Sequence, residues 1–80
     1  MNEQIKINPT NQQYVNNVFG KNINARFGPI NDNVRAIFAQ GSPKSSFFKI
    51  GYVNVETLEC TSGNDSDLAD CETVVAAVMQ

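Results

Sequence analysis

The sequence predicts an α+β domain. A small antiparallel sheet is expected in the order β-α-β-β-β-α, with a short N-terminal helix and a C-terminal helix packed on one face. Three observations carry this. Short segments of alternating polar and apolar residues are separated by clusters of Gly, Pro, Asn and Ser. One long run, residues 47–60, is rich in aromatic and β-branched side chains. The last fifteen or so residues carry an apolar stripe at helical spacing. With 80 residues the chain is one small domain, residues 1–80. A chain this short removes only about 60–65% of its unfolded surface from water, so its core is thin.

The elements follow in order. Residues 3–7 (Glu3, Gln4, Ile5, Lys6, Ile7) alternate and suit a half-buried strand. Asn8 and Pro9 break it. Thr10 and Gln13 match a capping box, after which Tyr14, Val15, Val18 and Phe19 recur at helical spacing and Gly20 stands where a helix stops. A short first helix is expected there. Residues 22–27 alternate again, with Ile23, Ala25 and Phe27 on one face and Asn22, Asn24 and Arg26 on the other. Residues 28–33 are dense in turn formers.

Residues 34–40 fit two patterns. As a strand they put Val34, Ala36 and Phe38 on one face; as a helix, capped by Asp32 and stopped by Gly41, they align Val34, Ile37 and Phe38. The neighbouring strands and short connections favour the strand. A second turn, residues 41–46, leads into the long run. There Phe48, Ile50 and Tyr52 share one face and Phe47, Val53 and Val55 the other, which points to a bulge near Gly51 that switches the apolar side. This strand is expected to be central. Residues 61–66 read as a polar loop. Ser66 or Asp67 then caps the last helix, whose stripe is Leu68, Cys71, Val75 and Val78.

Composition narrows the chemistry. There is no His, which removes Ser-His-Asp and Cys-His catalysis and Cys₂His₂ zinc sites. Gly41-Ser42-Pro43-Lys44 lacks the frame of a phosphate loop and reads as a solvated turn. Counted from Asp65, the acidic stretch has Asp70 at the sixth position and Ala76 at the twelfth, so the calcium-loop frame fails. No metal, cofactor or catalytic residue is expected, and the chain reads as a non-enzyme. The longest apolar run, residues 74–79, is far below the twenty or so that a membrane span needs, so no membrane association is expected. The start shows no basic region followed by an apolar stretch, which makes the cytoplasm the expected compartment. Eleven Asn residues, spread along the chain, suit turns and caps.

Charge is divided unevenly. Residues 1–50 hold six basic side chains against two acids, a net of +4; residues 51–80 hold six acids and no base. Those acids are Glu56, Glu59, Asp65, Asp67, Asp70 and Glu72. Such asymmetry points to a charged partner surface, with back-folding of the acidic end onto the basic end as the plainer explanation. Carboxylates fixed along a helix and strand can mimic a phosphate backbone. The expectation is therefore a protein-interaction module whose partner-binding residues are the six acids with Phe47 and Tyr52. Its most specific form is a small phage-type inhibitor, anti-CRISPR-like in size and charge, that blocks a host nucleic-acid-binding machine. The alternative is a structural subunit of a larger assembly.

Lys21, Arg26, Lys44 and Lys49 lie among aromatics, a pattern that suits single-stranded nucleic acid. The sequence pI of about 4.8 opposes it, so direct nucleic-acid binding is not expected. An unpaired sheet edge would allow a homodimer. Cys60 and Cys71 are placed to join the last strand to the last helix by a disulfide, worth roughly 3 kcal/mol in the loop-entropy account. Two buried free thiols are the alternative for a cytosolic chain.

Overall fold

A computed structural model describes residues 13–79. The expected strand at residues 3–7 and the expected cap at Thr10 lie outside them. Five strands form one antiparallel sheet in which sequence neighbours are also spatial neighbours: β1 Gln13–Val15, β2 Ala25–Asn31, β3 Val34–Ala39, β4 Phe48–Asn54 and β5 Cys60–Thr61. One helix, α1, Asp65–Met79, packs against β4 and β5 and reaches β1. The class is α+β, as expected.

The expected first helix is corrected within the described residues. Gln13–Val15 pairs with β2, and residues 16–22 are turns. Helical spacing was present, but the backbone is left-handed at Asn17 (φ 58°), Gly20 (81°), Lys21 (52°) and Asn22 (65°), which no α-helix accommodates. Asn tolerates that region better than most residues, so the Asn-rich stretch folds as a chain of turns.

The expected six-residue turn at 28–33 is narrower. Asn31 pairs with Val34, leaving a two-residue loop of Asp32 (φ 54°) and Asn33 (φ 66°). Positive φ at both central residues is the type I′ geometry that matches strand twist. Gly28 and Pro29 stay in β2, where the register shifts between Phe27 and Ile30. Proline has no N–H for the ladder, and a bulge is where a strand tolerates it.

β3 is a strand, but its buried face is the one opposite to the apolar set expected. Arg35, Ile37 and Ala39 are buried, while Val34, Ala36 and Phe38 are half-buried. The expected bulge near Gly51 is present: Ile37 pairs with Gly51 and Phe38 with Lys49, leaving Ile50 extra. Burial then switches from Ile50 to Val53 and Val55. β4 is interior, bonded to β3 and β5. The long run ends earlier than expected, at Asn54, whose Oδ1 accepts from the amides of Glu56 (2.8 Å) and Thr57 (3.1 Å) and so closes a turn.

The helix cap is Asn64, ahead of the expected Ser66 or Asp67. Its Oδ1 accepts from the Asp67 amide at 2.8 Å, and its Nδ2 donates to the Asp67 carboxylate at 3.2 Å. Asp65 and Asp67 sit in the first turn, where the helix dipole favours anions. Cys71, Val74 and Val75 are buried against Ala25, Phe27, Ile37 and Val53, with Leu68 and Val78 half-buried at the margins of the stripe.

Candidate partner-binding surface

The meander places the connections of residues 16–24 and 40–47 at one end of the sheet and the 32–33 hairpin with residues 55–59 at the other. Gln40 ties the first two together. Its Oε1 accepts from the Asn24 amide at 3.0 Å, and its Nε2 donates to Ser45 O at 2.8 Å. Lys21 and Lys44 stand in these connections, and Arg26 and Lys49 begin the strands beside them. Four cations thus share one end.

Pairing fixes which side chains share the sheet face away from α1. Arg26 pairs with Phe38, Phe38 with Lys49, and Ala36 with Tyr52. The Arg26 guanidinium lies 4.0 Å from the Phe38 ring centre and 5.4 Å from that of Phe47. Lys49 Nζ donates to Tyr52 Oη at 2.8 Å and stands 5.0 Å from its ring centre. Cations over aromatic faces are attracted by the ring quadrupole. Phe48 (51% exposed) and Tyr52 (40%) are the large apolar side chains most open to water.

The acids lie in the turn between β4 and β5 and on α1. Glu56 and Glu59 are exposed in the turn between β4 and β5. Asp65 and Glu72 are exposed on α1, with Asp67 and Asp70 half-buried. Cys71 lies on α1 among the helix acids. Burial pushes its thiol up to about 12, and the charges of Cys60, Asp67, Asp70 and Glu72 add to this. Burial also raises Cys60, with the charge of Glu72 contributing. Cys60 and Cys71 are free thiols in the structure. Both are held as the neutral, poorly nucleophilic form.

Of the expected site residues, Asp67, Asp70 and Glu72 flank Cys71 along α1, while Phe47 and Tyr52 belong to the sheet face away from it. The two sets meet at a groove of about 390 Å³ lined by Lys49, Ile50, Gly51, Tyr52, Thr61, Ser62, Gly63 and Asp67. Sequence reasoning missed Lys49 and residues 61–63 as parts of this groove. The break in alternation at Gly51 was the available signal. Among the described residues, no group of three or more Cys, Asp or Glu is arranged to hold a metal ion, and no helix is long and apolar enough to cross a membrane.

Among the described residues, fold and surface define a small α+β domain with one sheet face covered by α1 and the other free of a helix. No protein-family model, curated protein or solved structure matches the chain.

Proposed function

We propose that the chain is a non-enzymatic protein-interaction domain that engages a basic partner surface through its acidic flank. The observation that supports this best is the run of acids along α1, Asp65, Asp67, Asp70 and Glu72, with Asp65 and Glu72 exposed. These acids follow one another along α1, and residues 51–80 contain no basic side chain to offset them. The narrowest form of the reading is a cytoplasmic inhibitor that presents carboxylates in place of nucleic-acid phosphates to a nucleic-acid-binding protein.

A second reading, a subunit of a larger assembly, draws on the exposed rings of Phe48 and Tyr52. The two separate by charge. The variant carrying Glu56→Lys, Glu59→Lys, Asp67→Lys and Asp70→Lys is compared with the parent protein for capture of a partner from nuclease-treated lysate. Thermal unfolding of both proteins serves as the folding control. Loss of the captured partner with the fold intact supports the acidic reading. Unaltered capture overturns it.

A further inference from the structure

Two thiols on different elements face the same layer between sheet and helix. Cys60 stands in β5 opposite Val53, and residues opposite one another in an antiparallel pair share a sheet face. Val53 is fully buried on the face that α1 covers, and Cys60 packs against the same core. From the helix side, Cys71 is fully buried in that core. Gly51 shows where its sulfur lies. A Cβ there would strike Thr61 O and come within 2.7 Å of Cys71 Sγ. The sulfur therefore takes the room of the side chain that Gly51 lacks, on the same face as Val53 two residues on. Gly51 is diagonal to Cys60 across the β4–β5 pair, and diagonal neighbours stand about 7–8 Å apart or less.

We propose that Cys60 and Cys71 are an oxidisable pair, which a small disulfide such as oxidised glutathione converts to a disulfide that latches α1 to β5. Both side chains point into the layer between these elements, the orientation that such a bond needs. Exposure sets the order of events. Cys60 is half-buried and Cys71 fully buried, so the oxidant meets Cys60 first. The Cys60 thiolate attacks one glutathione sulfur and expels the other half as glutathione thiolate. The Cys71 thiolate then attacks the Cys60 sulfur of the mixed disulfide and expels the second glutathione. The two protein sulfurs are oxidised, the two glutathione sulfurs are reduced, and the two thiol protons end on the released glutathiones. In a reducing compartment the thiols remain free, so the latch closes only on oxidation. Closure joins residues 60 and 71, which constrains the unfolded chain and ties the acidic helix to the sheet.

The test uses the folded, purified chain. Both thiols are held in the neutral form and exchange slowly, so the chain is incubated overnight with oxidised glutathione in excess over reduced. It is then quenched in acid and digested without reductant. Mass spectrometry should find the parent chain two hydrogens lighter, with two peptides joined through Cys60 and Cys71 and no glutathione retained. The oxidised chain should melt about 10 °C higher and return to its former melting temperature on reduction. Cys71→Ser should keep glutathione on Cys60, and Cys60→Ser should stay unmodified. Two free thiols in the parent, glutathione left on its Cys60, or an oxidised chain that melts no higher than the reduced one would each overturn the proposal, as would glutathione on Cys71 in folded Cys60→Ser. The parent and Cys60→Ser, a half-buried position, decide the matter even where Cys71→Ser fails to fold.

Discussion

Two arginines nine positions apart in one sheet show what separates the faces of this molecule. Arg35 is fully buried on the helix-covered face, where its Nε donates to Gly28 O at 2.5 Å and its guanidinium lies 5.3 Å from the Phe27 ring centre. Arg26 is half-buried on the open face, stacked over Phe38. Burial lowers the Arg35 pKa, the mark of a cation taken from water. One group that offsets that cost is local. The bulge at Gly28 and Pro29 takes the Gly28 carbonyl out of regular pairing and leaves it free to accept from the guanidinium. The same residue type thus serves the core in one place and a hydrated aromatic surface in the other. The alternation of the strands decides which.

The sharpest way to break this contrast is at Gly51. Gly51→Ala forces Thr61 and Cys71 apart, backbone included, and should cost about 3 kcal/mol or more. Chemical denaturation checks it, and a loss below 1 kcal/mol would show that β4, β5 and α1 are not packed as described. Arg35→Ala opens a buried cavity and should cost about 3 kcal/mol. Arg35→Met keeps most of the volume, removes the buried charge, and should cost clearly less. If the two variants melt alike, volume is not what Arg35 supplies.

Alkaline pH tests the inner face without mutation. The Cys71 thiol is pushed up to about 12 in the fold, against about 8.5 in an unfolded chain. Its stabilising effect is complete below about 8.5 and is lost as pH rises toward 12. Melting temperature should fall across that window, and Cys71→Ala should flatten the fall; an unchanged slope assigns the effect elsewhere. The smallest effect belongs to the open face. Tyr52→Ala should alter stability by less than about 0.5 kcal/mol, because its ring packs mainly against Lys49 and solvent. A larger loss would place Tyr52 in the core.

The fold class, the strand at 34–39, the bulge at Gly51 and the stripe on α1 were legible because periodicity reports burial directly. The buried face of β3 was not. Arg35 is charged, and one of its partners is a carbonyl freed by a bulge that sequence does not announce. The turns at 16–22 were hidden by Tyr14, Val15, Val18 and Phe19, whose spacing imitates a helix while Asn17, Lys21 and Asn22 adopt left-handed backbone. The acids were legible as a set but not as a place. Their proximity on α1 is local, but α1 lying along β4 and β5 is a tertiary fact.

The most direct test of the central claim is partner capture from nuclease-treated lysate, with parallel washes at low and high salt and bound proteins identified by mass spectrometry. Contacts made by exposed carboxylates weaken as salt screens them, whereas apolar contacts persist. The account predicts a partner that is basic on its binding surface and released at high salt. A partner retained equally at both salt concentrations would contradict it and move the interface to the open aromatic face.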